Sequence, residues 1–250
     1  MNLQHLTTEQ RNAKTFHIDT LDSLGIAKLM NDEDLTVAGQ VRKELNTVAQ
    51  LIDMAADAVG GGGRVIYVGA GTSGRLGILD ASEIPPTFSA PPHYFIGLIA
   101  GGDRAIRNAV EGAEDDEAAG AADIRKLEAG PKDLVIGITA SGRTPYVGGA
   151  LRQARAAGAK TGLIACNKGA ALSPLADVSV EVEVGPEIIM GSTRLKAGTA
   201  QKLVLNMVST GAMIKLGKVY GNLMVDLQTS NLKLQDRAVR IIMEATGVSL

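Results

Sequence analysis

Two short segments gather the groups best suited to holding a small anion: Gly69-Ala70-Gly71-Thr72-Ser73-Gly74-Arg75 and Thr139-Ala140-Ser141-Gly142-Arg143-Thr144-Pro145. Each follows a short apolar run and leads into a segment of helical character. Glycine lets a backbone turn tightly and approach an anion, a helix start offers N–H groups without partners, and Thr72, Ser73, Thr139, Ser141 and Thr144 add hydroxyls. The first loop also fits the spacing of a dinucleotide fingerprint, which would require an acidic residue about 20 positions on, at the end of a second strand. A dinucleotide site has no need of the second hydroxyl loop, whereas a monophosphate site does. If the loops lie at the carboxyl ends of neighbouring parallel strands, Ser73, Thr139, Ser141 and Thr144 surround one phosphate. The competing reading makes both loops ordinary strand-to-helix turns with capping hydroxyls. Arg75 and Arg143 fall in first helical turns, where a structural ion pair serves as well as a phosphate contact.

The surrounding pattern predicts an α/β fold. Val65–Val68, Phe95–Ile99, Leu134–Ile138, Gly162–Ala165 and Val178–Val182 read as strands. Most are separated by helical stretches, the pattern of a parallel sheet wrapped on both faces. Before them, Asn31 or Asp32 is expected to cap one helix carrying Val37, Val41, Leu45, Val48, Leu51, Ile52 and Ala55, ending at Gly60–Gly63. After Gly191 the chain turns helical again, and Arg237–Ala245 reads as a last helix stopped by Gly247. The run Glu114-Asp115-Asp116-Glu117 reads as a solvated helix start rather than a metal site.

Composition narrows the function. A chain of 250 residues with 45% hydrophobic content supports one substantial aliphatic core plus appendages. The net charge of -2 gives no reason to expect nucleic acid or an anionic membrane as partner. Cys166 is the single cysteine, so no internal disulfide forms, and His5, His17 and His93 lack metal-ligand spacing; no metal is expected. Residues 1–18 lack the basic start and apolar stretch of a signal peptide, and no run approaches the roughly 20 apolar residues of a membrane helix, so a soluble cytoplasmic protein is expected.

Longer strings carry a resemblance. TEQRN (8–12), GAGTSGRLGILDASEIPP (69–86), AVEGAED (109–115), ASGRTPYV (140–147), GSTRLKAGTAQK (191–202) and GKVYGNLMVD (217–226) are similar to those of the N-acetylmuramic acid 6-phosphate etherases, built on the sugar isomerase (SIS) domain. The resemblance implies a three-layer SIS-type parallel sheet flanked by helices, with helical N-terminal and C-terminal extensions. It implies a helical arm over 1–46, a SIS sugar-phosphate-binding domain over 47–228 and a C-terminal helix over 229–250. Family members usually continue past the position of Leu250 as a small helical subdomain. Also implied are a homodimer with its site near the subunit interface, no cofactor, and cleavage of the D-lactyl ether in cell-wall amino sugar recycling. The family's catalytic glutamates fall on Glu83 and Glu114, while Glu187 and Ser192 match the part of SIS enzymes that lines the sugar; a cap for the following helix explains Ser192 almost as well.

The chemistry suits two carboxyl groups. In the open-chain sugar the C1 aldehyde acidifies the C2 proton, and the ether oxygen on C3 lies β to the carbonyl, so elimination is the natural route. One acid must take the C2 proton and another must protonate departing lactate and then activate water. By resemblance Glu114 is the base and Glu83 the acid, although the reverse fits the sequence equally well. An unbroken helix from Gly74 to Glu83 would separate that carboxylate from the phosphate by roughly 13 Å along the axis. Either the helix is shortened or bent near Gly77 and Pro85-Pro86, or Glu83 serves the neighbouring subunit, the arrangement favoured here. Two other functions would suit the fold, a sugar-phosphate isomerase and a catalytically silent sugar-phosphate sensor; a dinucleotide oxidoreductase is more remote.

Overall fold

Five strands, β1 (Val65–Gly69), β2 (Phe95–Ile99), β3 (Leu134–Thr139), β4 (Lys160–Ala165) and β5 (Val178–Glu181), pair in parallel in the order β2-β1-β3-β4-β5. The computed structural model describes residues 6–227 and 232–248, so His5 and the expected boundary at 228/229 lie outside the described residues. β1 and β3 are buried along their whole length, which is why they read as continuous apolar runs rather than alternating ones. Successive side chains still divide between the faces. Tyr67, Leu134, Ile136 and Ile138 join one core, and Ile66, Val68, Val135 and Leu163 the other.

Helices α2 (Leu45–Gly60), α3 (Gly71–Phe88) and α7 (Lys196–Lys215) cover the first face through Leu51, Ala55, Ile84, Val204 and Val208. The other face carries α5 (Glu117–Lys126) and α6 (Pro145–Ala156), with Ile124, Tyr146, Val147 and Leu151 in its core. The short α4 (Arg104–Arg107) precedes α5, and α8 (Leu232–Thr246) is the last described helix. The division follows from topology. The chain leaves β1 toward β2, then returns past β1 to β3 and onward, and right-handed crossovers running in opposite directions must use opposite faces. The expected α/β class and three-layer arrangement are therefore what the chain adopts.

The N-terminal helix differs from expectation. α1 (Ser23–Arg42) starts well before Asn31, capped by Asp22, whose Oδ1 accepts the Gly25 N–H at 2.8 Å. Asn31 and Asp32 are interior to it, and the chain breaks at Lys43-Glu44 before α2. Only Glu33, Val37 and Val41 of α1 are buried, so its first half carries little apolar pattern from which to read a start. Among the described residues no helix is long and apolar enough to cross a membrane.

Candidate active site

The strand order reverses between β1 and β3, and both hydroxyl loops leave the carboxyl ends of those two strands. Gly69 is paired in register with Ile138, so Ala70 and Thr139 emerge side by side. This is the switch point at which open α/β sheets bind ligands.

The first loop is a tight turn. A Cβ on Gly69 would lie 2.6 Å from the Gly74 nitrogen, and one on Gly74 would lie 2.6 Å from Ile99 Cγ1, so α3 starts almost directly on the strand. Ala70 occupies the N-cap position, without a side-chain cap. Ser73 is buried and donates its hydroxyl to Gln201 Oε1 of α7 at 2.9 Å. Half-buried Thr72 faces Gly198, where an added Cβ would meet its methyl at 3.4 Å. Further along, Ser209 donates to Asp80 at 3.0 Å, so α3 and α7 run parallel with their starts together. Arg75 is committed elsewhere, donating to the carbonyl oxygens of Ile106 at 3.0 Å and Asn108 at 3.3 Å.

In the second loop three hydroxyls converge. Thr139 Oγ1 accepts the Gly142 N–H at 3.2 Å and lies 2.8 Å from Thr144 Oγ1 and 3.5 Å from Ser141 Oγ. Gly142 makes the turn at φ 75°. Thr139 is buried, whereas Ser141 and Thr144 are half-buried and reachable from outside. Thr144 holds the N-cap position of α6 without a side-chain cap bond. Both helices that start at the switch point thus keep first-turn N–H groups uncapped by a side chain.

α7 is treated differently. Glu187 is fully buried, and its two oxygens accept the Lys196 and Ala197 N–H groups, each at 2.9 Å. Burial pushes its carboxyl above the usual range, opposed by those two N–H groups and the Lys196 charge. The cap of α7 is therefore Glu187 rather than Ser192, which is half-buried in the turn preceding Leu195.

The two acids stand on different elements. Glu114 stands exposed in a 3-10 turn (Ala113–Asp115) and, with Ala70, Gly71, Arg75 and Glu111, lines a cavity of about 190 Å³ beside the first loop. Asp116 caps the following α5 by accepting the Ala119 N–H at 2.8 Å, the helix start expected of the acidic run. Glu83 is exposed on α3, which continues through Pro85 and Pro86 without a break. That removes the shortened-helix alternative, and nine residues of continuous helix correspond to an axial rise of roughly 13 Å between Gly74 and Glu83.

Further buried polar residues escaped the sequence reading. Glu33 and Lys196 form an ion pair at 2.8 Å with both side chains 4% exposed. Asn167 joins the N-terminal segment to the second loop. Gln201, behind Ser73, has a buried Nε2 without a hydrogen-bond partner. Turning its amide over would let it donate to Ser73 and leave the serine proton free for an anion. The only sequence signal for Gln201 was its place within a string already singled out, and Asn167 had none.

Comparison with known proteins agrees with the geometry. The model described as glucokinase regulatory protein N-terminal SIS domain matches residues 46–155, and the SIS domain model matches 113–210. A phosphoheptose isomerase structure from Francisella tularensis superposes with a TM-score of 0.58 at 18% identity, covering 77% of this chain and 98% of that one; it speaks for the fold alone. The N-acetylmuramic acid 6-phosphate etherase of Geobacillus sp. (strain WCH70) is 60% identical over 98% of this chain and 83% of its own length. That of Yersinia pestis (strain Pestoides F) is 57% identical over 100% of this chain and 84% of its own. At that identity across nearly every residue described above, the chain belongs to the N-acetylmuramic acid 6-phosphate etherase family.

Proposed function

We propose that this protein cleaves the D-lactyl ether of N-acetylmuramic acid 6-phosphate, yielding N-acetylglucosamine 6-phosphate and D-lactate in cell-wall amino sugar recycling. The observation that carries the reading is identity of 57% and 60% to named etherases over nearly the full chain. The paired hydroxyl loops at the switch point support it, being suited to a phosphate monoester.

In this reading Thr72, Ser73, Thr139, Ser141 and Thr144 hold the 6-phosphate with the uncapped N–H groups of α3 and α6. Glu114 takes the C2 proton, and the C3–O bond breaks as Glu83 protonates the departing lactate oxygen. Glu83 then removes a proton from water adding at C3, and C2 is reprotonated. Ser192 borders the sugar, while Glu187, expected from the sequence to line it, is buried beneath the start of α7 and holds that helix in place. Residues 1–46 form the N-terminal arm, 47–228 the SIS domain and 229–250 the C-terminal segment that carries α8.

Glu83 serves the partner subunit of a homodimer. Three observations support this: the unbroken α3, exposed Leu79 one turn before Glu83 on the same face, and a cavity of about 190 Å³. That volume is below the roughly 300 Å³ at which small-molecule sites begin, which suits a site that a second subunit completes. The buried free thiol of Cys166 suits a reducing compartment, and the cytoplasm is the location proposed.

The test is incubation with N-acetylmuramic acid 6-phosphate in deuterated, ¹⁸O-labelled water. Lactate, deuterium at C2 and label in the C3 hydroxyl are expected; absence of lactate sinks the reading. Glu114→Gln should abolish C2 exchange with the fold retained. Mixed dimers of a Glu83→Gln chain and a Ser141→Ala/Thr144→Val chain should regain activity, and their remaining inactive would place all parts in one chain.

A further inference from the structure

We propose that Asn167 is a positioning residue for the phosphate loop, and that the N-terminal segment acts on the site through it. The inference rests on the proposed reading for the phosphate-binding role of the second loop and for the identity of the phosphorylated ligand.

Asn167 stands just past β4, 2% exposed, with every hydrogen-bonding position of its amide in use. Oδ1 accepts the Thr7 N–H at 2.9 Å and the Thr7 hydroxyl at 3.0 Å. Nδ2 donates to Thr8 Oγ1 at 3.0 Å and to the Ala140 carbonyl oxygen at 3.0 Å. Ala140 lies between Thr139 and Ser141. In a trans peptide the carbonyl and the next N–H point in opposite directions within one plane. Holding the Ala140 oxygen against Asn167 therefore turns the Ser141 N–H away from it and sets the entry of Ser141 into the loop. The Cys166 N–H reaches the same oxygen at 3.1 Å, so the carbonyl is gripped from two sides.

The far end of the device is also anchored. Asn12 Nδ2 donates to Glu33 at 2.8 Å, and Thr15 donates to the Ile188 carbonyl at 2.8 Å. Thr7 to Thr15 thus run as a strap from the loop beyond β4 to the turn before α7.

Two near-isosteric changes on the full chain test this. Asn167→Asp keeps the acceptor for Thr7 but sets a carboxylate oxygen against the Ala140 carbonyl; Thr8→Val removes an acceptor of Nδ2 at a distance from the loop. The readouts are KM and kcat for lactate release, calorimetric Kd for N-acetylglucosamine 6-phosphate, and melting temperature. Asn167→Asp should raise KM and Kd about tenfold with kcat within about twofold, the cost of one misdirected hydrogen-bond donor. Thr8→Val should raise them about threefold, and the double variant should add nothing to Asn167→Asp, because coupled residues are not additive. Lower melting temperatures with unchanged Kd would overturn the proposal, as would additive effects. Should Asn167→Asp fail to fold, an unchanged Kd for Thr8→Val alone overturns it. Weakened sugar-phosphate binding in the variants of a parent that releases no lactate would sink the etherase reading and leave this one standing. A parent binding no sugar phosphate would sink both.

Discussion

Glu33→Gln should destabilise the protein at neutral pH and lose most of its effect in acid. Glu33 is 3% exposed and its carboxylate meets Lys14 Nζ, Lys196 Nζ and Asn12 Nδ2, each at 2.8 Å. Burial pushes its pKa up, but the hydrogen bonds from Lys14, Lys196 and Asn12 outweigh that and hold it at about 2 rather than 4.5. At about 1.36 kcal/mol per pH unit, this depression contributes about 3 kcal/mol at neutral pH. Because the folded value is the lower one, the contribution is complete above the ordinary carboxylate range and disappears as pH falls through about 2; at pH 3 about 1 kcal/mol remains. Glutamine keeps the shape but leaves buried Lys196 without a counter-charge, which is costly in its own right. Urea unfolding followed by far-ultraviolet circular dichroism, at pH 7 and pH 3, should show a gap of about 3 kcal/mol narrowing to about 1 with equal m-values. A gap below about 1 kcal/mol at pH 7, or one that stays constant with pH, would refute the reasoning.

Asp80, buried between α3 and α7, gives the opposite sign: burial pushes its carboxyl above the usual range. The raised folded value makes its contribution full below the ordinary carboxylate range and lost as pH rises through that raised value. Asp80→Asn should therefore gain stability relative to the parent as pH rises above the ordinary carboxylate range, and a difference that stays flat with pH would count against it. Gly120→Ala should cost about 2–3 kcal/mol in the same urea assay, since the added Cβ runs into the Tyr146 carbonyl oxygen of α6. A midpoint unchanged from the parent would mean the α5–α6 contact yields easily.

The sheet was legible because each strand is a short, largely apolar run closed by glycine or polar residues, as Val65–Gly69 and Leu134–Thr139 illustrate. The hydroxyl loops were legible from their position after those strands. The start of α1 was not, because Leu24 and Leu35 are exposed and the first buried residue of the helix is the polar Glu33. Nor could Pro85-Pro86 show whether α3 ends early, since prolines near a helix end remove N–H donors without forcing a stop. Asn167 and Lys196 were invisible for a different reason: their partners, Thr7 and Glu33, lie 160 and 163 positions away. Pairing at such distance leaves no periodicity to read.

The strap also bears on how the molecule is made. Its residues leave the ribosome well before their anchors at Asn167 and Ile188 are synthesised. Closing so long a loop has an entropic cost that only the finished sheet can offset. A stretch translated early thus cannot complete its anchorage until the residues beyond β4 have been made.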